Sequence, residues 1–201
     1  MMATSDGDIV VIGCGNLLRG DDAVGPTLVR QLWDEGVPRT GVVLVDGGTA
    51  GMDVAFKMRG ARRVIIVDAS SSGSPPGTIF RVPADQLENT PPLEGLHSHS
   101  FRWDHALSLG RWLLGEEYPR DVTVFLIEAG DVSFGVPLSA PVAVAMARVA
   151  AMVRAAWETD AASYLPSDSL FVPARGGELL GAAKGGLRVG LSGPEGMNDD
   201  L

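Results

Sequence analysis

Two aspartates and a small group of histidines are the residues of this chain whose types and spacing invite a chemical reading. Asp22 stands in an acidic pair, Asp21-Asp22, shortly after a glycine-marked turn. Asp68 closes the apolar run Val64-Ile65-Ile66-Val67, and His97, His99 and His105, the only histidines, lie close together downstream. Each has a plain structural explanation. An aspartate ahead of a helix caps its unpaired amides, one at a strand-to-turn junction bonds its own backbone, and histidines fill many surface and capping roles. Taken together, however, two carboxylates and an imidazole form an oxygen-and-nitrogen ligand set with open positions. Such a set suits nickel or zinc acting as a Lewis acid or activating water. Cys14 is the single cysteine, so no disulfide forms within the chain and no thiolate pair exists for structural zinc or an iron-sulfur cluster.

For these groups to meet, the chain must bring several loops to one crevice. Ile9-Val10-Val11-Ile12 is a continuous β-branched run ending at Gly13, the pattern of a strand buried on both faces of a parallel sheet. After Gly13-Cys14-Gly15-Asn16, Val24, Leu28 and Leu32 recur at helical spacing and Gly36 supplies the stop. Val42-Val43-Leu44-Val45 ends in Asp46-Gly47-Gly48, a short helix fits Met52 to Met58, and the third strand ends at Asp68. The Ser/Gly/Pro-rich loop from Ser70 to Gly77 leads to Thr78-Ile79-Phe80-Arg81-Val82, whose weaker alternation predicts an exposed or edge strand. Trp103, Leu107, Gly110 and Leu114 share a helical face that Ser100 could cap, which sets His99 just ahead of a helix. Val122 to Ile127 is the last strand, and Val142, Met146, Val149, Val153 and Trp157 make a long amphipathic helix begun by Ser139, with Pro141 in its first turn.

Strands alternating with helices predict an α/β fold with a parallel sheet covered on both faces. Loops leaving the carboxyl ends of such strands line the binding crevice, above all where strand order reverses. In a flavodoxin-like order the first and third strands adjoin at that point, which turns Asp22 and Asp68 toward one crevice.

The 201 residues are 45% apolar and 20% charged, enough for one substantial core. Residues 1–158 are expected to form the folded domain and 159–201, rich in glycine and small polar residues, a flexible tail. A net charge of -9 argues against diffuse attraction to nucleic acid or anionic membrane surfaces. The longest apolar stretch, Pro141 to Val153, is interrupted by Arg148 and falls short of the roughly 20 residues that span a bilayer. Met1 to Asp8 is short, polar and acidic rather than signal-like, so the expected compartment is the cytoplasm.

The run Ile12-Gly13-Cys14-Gly15-Asn16-Leu17-Leu18 followed by Asp21-Asp22-Ala23-Val24-Gly25 resembles the opening signature of nickel-iron hydrogenase maturation endopeptidases. The order stays similar through Val45-Asp46-Gly47-Gly48-Thr49-Ala50-Gly51, Val64 to Ala69, a histidine before a helix, and Ile127-Glu128 leading to Leu138-Ser139, over roughly residues 8 to 157. The resemblance implies a three-layer α/β/α domain around a mostly parallel five-stranded sheet, in flavodoxin-like or phosphorylase/hydrolase-like order. It also implies an endopeptidase that removes a carboxy-terminal extension from the hydrogenase large-subunit precursor after nickel insertion. The family's metal-contacting positions, which are also its catalytic ones, fall on Asp22, Asp68 and His99. His97 is the alternative histidine, and His105 lies inside the predicted helix. Where the family often has glutamate, Asp22 is one methylene shorter. Asp46 and its glycines are expected to shape the crevice, or simply to make a tight turn. The nickel is expected to arrive with the precursor, with zinc or another divalent metal held by the enzyme as the rival version.

Two other classes compete. A nucleotide-binding module would use the glycine turn, but Leu18 replaces the fingerprint's third glycine and Asp21-Asp22 stand where a pyrophosphate would bind. A non-catalytic chaperone would recognise the metallated large subunit without cutting it.

Overall fold

Ile9–Cys14 (β1) is buried along its whole length, as its unbroken β-branched run requires of a central strand. The structure is a computed structural model that describes residues 9–36, 41–49, 51–83 and 103–158. In chain order the other elements are α1 (Val24–Asp34), β2 (Val42–Gly48), α2 (Gly51–Lys57), β3 (Arg63–Ser70), β4 (Ile79–Pro83), α3 (Trp103–Leu114), β5 (Asp121–Glu128) and α4 (Ala140–Glu158). The expected tail from 159 onward and the proposed cap Ser100 lie outside the described residues.

The sheet order is β2-β1-β3-β5-β4. β1 pairs in parallel with β2 and β3, and β3 with β5, whereas β4 is antiparallel to β5. This is the expected mostly parallel five-stranded sheet, with Thr78 to Val82 correctly read as an edge. Of the two orders expected, the flavodoxin-like one is not adopted, which leaves the phosphorylase/hydrolase-like alternative. The flavodoxin-like order would place the fourth strand beside the third, but here β5 occupies that position and β4 closes the edge by folding back along it.

Alternation along the strands divides the core between two faces. Val10, Ile12, Val64, Ile66 and Val124 pack against Val54 of α2, Met58 just after it, and Leu107 and Leu114 of α3. Val11, Ile65, Val67 and Ile127 pack against Leu28 and Leu32 of α1 and Val142, Val149 and Val153 of α4. By length and composition α4 is the one helix among the described residues that could cross a membrane. Its inner stripe is instead committed to the sheet, where each buried aliphatic side chain stabilises the fold by about 1.5–3 kcal/mol.

The start of α1 is pressed onto the carboxyl ends of β1 and β3 by two glycines. A Cβ on Gly13 would lie 2.1 Å from the Gly25 carbonyl oxygen, and one on Gly25 would lie 2.3 Å from the Cys14 oxygen and 2.4 Å from the Val67 oxygen. All of these neighbours are backbone, so no side chain can move aside. Alanine in place of a helical glycine ordinarily gains about 1 kcal/mol, but here the collision dominates. Gly25→Ala is expected to lower stability by about 2 kcal/mol or more, read as a reduced urea midpoint with an unchanged slope.

Candidate functional site

The crevice forms where the expected switch point lies, because β1 stands between β2 and β3 and the loops after β1 and β3 are neighbours. Leaving β1, the chain passes through Gly15 at φ +128°. A Cβ there would fall 1.9 Å from the Asp22 carbonyl oxygen and 3.6 Å from Oδ1 of Asp68. Only glycine lets the first loop pass this close to both aspartates. Asn16 then folds the loop: its side-chain oxygen accepts from the Leu18 N–H at 2.9 Å, and its own N–H donates to Oδ2 of Asp22 at 3.1 Å.

Asp22 therefore does not cap α1. That helix begins at Val24 with Ala23 at its N-cap and no side-chain cap bond, after a 3-10 turn over Gly20–Ala23. The half-buried Asp22 carboxylate turns back toward the Asn16 loop. Asp68 is 6% exposed; its Oδ1 accepts the Ala69 N–H at 2.8 Å, and β3 continues past it to Ser70. Asp46 accepts the Gly48 N–H at 2.9 Å while Gly48 takes φ +52°, so this segment is a side-chain-closed turn.

The structure thus sets the Asp22 backbone carbonyl and the Asp68 carboxylate against the same glycine. His99 and its alternative His97 lie outside the described residues, and His105 falls in α3 without a described side chain. Among the described residues no three histidine, cysteine, aspartate or glutamate side chains gather as a metal site. The two aspartates fit the oxygen part of the expected ligand set.

Sequence reasoning missed two carboxylates that hold this crevice together. Asp21, wholly buried, accepts from the N–H groups of Gly130 (2.8 Å), Asp131 (3.0 Å) and Ser139 (2.7 Å) and from the Ser139 hydroxyl (2.9 Å). Its own N–H donates to the Asp131 carbonyl at 2.8 Å. Ser139 begins α4 as expected, its carbonyl accepting from the Ala143 N–H at 2.9 Å, and gives its hydroxyl to Asp21. Glu128, 2% exposed, ends β5 and gathers the loop after Asp68. It accepts from the Ser70 hydroxyl (2.9 Å), the Ser72 N–H (2.7 Å) and hydroxyl (2.9 Å), and the Gly73 N–H (2.7 Å). One segment, Glu128 to Ser139, thereby anchors both loops that carry the candidate aspartates. The available signal was an acidic residue closing a buried strand opposite a serine-rich loop.

Comparison with known proteins agrees with this architecture. The family model described as hydrogenase maturation protease (HycI) matches residues 26–156. The hydrogenase expression/formation protein HupD of Thiocapsa roseopersicina is 32% identical over 124 residues, covering 62% of this chain and 55% of that protein. A Methanocaldococcus jannaschii relative is 36% identical over 84 residues, 41% of this chain and 54% of its own length. The chain thus spans little more than half of each. Among solved structures, the hydrogenase maturating endopeptidase HybD from E. coli superposes with a TM-score of 0.61 at 25% identity, covering 75% of this chain and 92% of that one.

Asp21 also sets a pH limit. Burial pushes its carboxyl up, but the amides of Asp131, Ser139 and Gly130 and the Ser139 hydroxyl outweigh it and hold the group below 3.8. A carboxyl lowered in the folded state contributes stability above its unfolded value and loses it as pH falls through the folded value. Asp21→Asn keeps the shape but removes the charge and turns one amide donor toward existing donors. The variant is expected to lose about 2 kcal/mol or more at neutral pH and to show a weaker decline below about pH 4 than the parent, both measured by urea titration across pH.

Proposed function

This chain belongs to the hydrogenase maturation protease family, and from that premise we propose that it is an endopeptidase acting on a hydrogenase large-subunit precursor. It removes the carboxy-terminal extension after nickel insertion. The observation that carries the reading is that Asp22, through its backbone carbonyl, and Asp68, through Oδ1, both lie against Gly15, at the carboxyl end of the sheet where an α/β sheet receives its ligand.

The nickel belongs to the precursor and is part of the substrate. Asp22 and Asp68 offer it oxygen ligands, and His99 is the proposed nitrogen ligand, with His97 its alternative. The Ala69 N–H on Oδ1 of Asp68 and the Asn16 N–H on Oδ2 of Asp22 fix how each carboxylate is presented. Holding the metal in this way sets the nearby peptide bond against the crevice. Hydrolysis adds water to the carbonyl carbon, breaks the C–N bond and delivers a proton to the departing amine. Zinc held by the enzyme itself is the competing version. The reading places the protein in the cytoplasm with its precursor and requires neither nucleic acid nor a membrane.

The test is to mix the purified protein, first dialysed against chelator, with nickel-loaded precursor and to follow precursor mass by intact-protein mass spectrometry. Loss of one carboxy-terminal peptide is expected. Asp22→Asn and Asp68→Asn should each slow it by about a hundredfold or more, with folding checked by circular dichroism. A requirement for stoichiometric added zinc would replace substrate nickel with a resident metal. Precursor that binds but is never cut would replace the protease with a non-catalytic chaperone.

A further inference from the structure

Arg19 lies in the loop between Asn16 and Asp22, and the protein leaves its side chain's hydrogen-bonding capacity unused. The backbone is well fixed: the Arg19 N–H donates to the Asn16 carbonyl at 3.0 Å, and its carbonyl accepts from the Asp22 N–H at 2.9 Å. The guanidinium Nε, in contrast, is buried from solvent and meets no acceptor. Among the described residues it is the only buried side-chain nitrogen or oxygen in that condition. A buried donor without a partner costs about 1–3 kcal/mol and calls for an explanation. Nearby buried groups show what ordinary satisfaction looks like, since Asp21 and Glu128 each accept four hydrogen bonds.

The surroundings indicate what is missing. Leu17 and Leu18, immediately before Arg19, are 48% and 58% exposed, and Phe134 on the facing loop is 74% exposed. The two loops are tied by the Gly135 N–H donating to the Leu18 carbonyl at 2.8 Å. Exposed leucine and phenylalanine around an arginine match a polypeptide-binding surface better than a site for a free anion. A planar guanidinium pairs with the oxygens of a peptide carbonyl or a carboxylate.

We propose that Arg19 is a substrate-binding residue, its guanidinium turning outward so that its N–H groups, Nε–H included, donate to an oxygen of a precursor segment whose apolar side chains rest on Leu17, Leu18 and Phe134. The proposal builds on the protease reading: Arg19 precedes Asp22 on the same loop, so the gripped segment runs past the candidate centre.

The test uses full-length Arg19→Met, which keeps the apolar stem, and Arg19→Lys, which keeps the charge but not the planar donor. Both are assayed with nickel-loaded precursor for KM, kcat and, by surface-immobilised precursor, Kd. Arg19→Met is expected to raise KM and Kd by about tenfold or more with kcat within a factor of about two, and Arg19→Lys to recover only part of the loss. Because no internal partner is lost, the Tm of Arg19→Met should equal or exceed that of the parent. Unchanged KM and Kd overturn the proposal, as does a Tm several degrees lower, which marks a structural arginine. If the parent binds precursor without cutting it, the protease reading fails while the Kd comparison still decides the role of Arg19. If the parent neither binds nor cuts, both fall. A penalty that vanishes when acidic residues of the precursor segment are neutralised identifies a carboxylate as the acceptor, and one that persists identifies a carbonyl; either supports the contact.

Discussion

Burying the Asp21 carboxylate is possible only if enough donors converge on it, and this requirement shapes the whole crevice. An unpaired charge in that position would cost several kcal/mol. The donors come from Gly130, Asp131 and Ser139, on a loop more than a hundred residues away in sequence. Satisfying Asp21 therefore closes the β1–α1 loop onto the β5–α4 loop. Once that closure is made, Gly20 must lie against Asp131, where a Cβ would sit 2.3 Å from its carbonyl oxygen, and Asp22 is left to face the other way.

Sheet topology makes the second anchor possible. Because β4 folds back antiparallel at the edge, β5 lies directly against β3, and Ser70 is registered opposite Glu128. In the flavodoxin-like order the strand beside β3 would have been a different one, and the loop after Asp68 would have lacked this carboxylate. The exchange of the last two strands thus serves the site as well as the edge. It brings a buried acid from the end of β5 within reach of Ser70, Ser72 and Gly73.

Much of this was legible in the sequence, for local reasons. The runs at Ile9, Val42, Val64 and Val122 and the spacing of Val24, Leu28 and Leu32 record how each element meets the core, which needs no knowledge of distant partners. The edge character of β4 was readable too, but its direction was not, since hydrophobic alternation is the same in either sense. Residue type and spacing did not separate Asp21 from Asp22; only the family resemblance singled out the second. The two are adjacent and chemically identical, and what distinguishes them, a pocket of amides supplied from residues 130 to 139, is visible only when the chain is folded. Glu128 was hidden for the same reason, its partners lying 55 to 58 residues away. The histidine half of the proposed ligand set lies outside the described residues, so the fold places only its oxygen half.

Four carboxylates crowd this end of the sheet, in a chain of net charge -9, and their mutual repulsion must be met somehow. For Asp21 and Glu128 the answer is neutral: amide and hydroxyl dipoles accept the charge without an opposing cation, so neither group draws on a metal or an arginine to stay folded. At Asp22 and Asp68 the Asn16 and Ala69 N–H groups are among the donors that orient the carboxylates. Asp21 and Glu128 supply rigidity to the two loops that carry Asp22 and Asp68. An Arg19 guanidinium paired with Asp21 or Asp22 would neutralise charge at that end of the sheet, and its buried Nε meets neither acid.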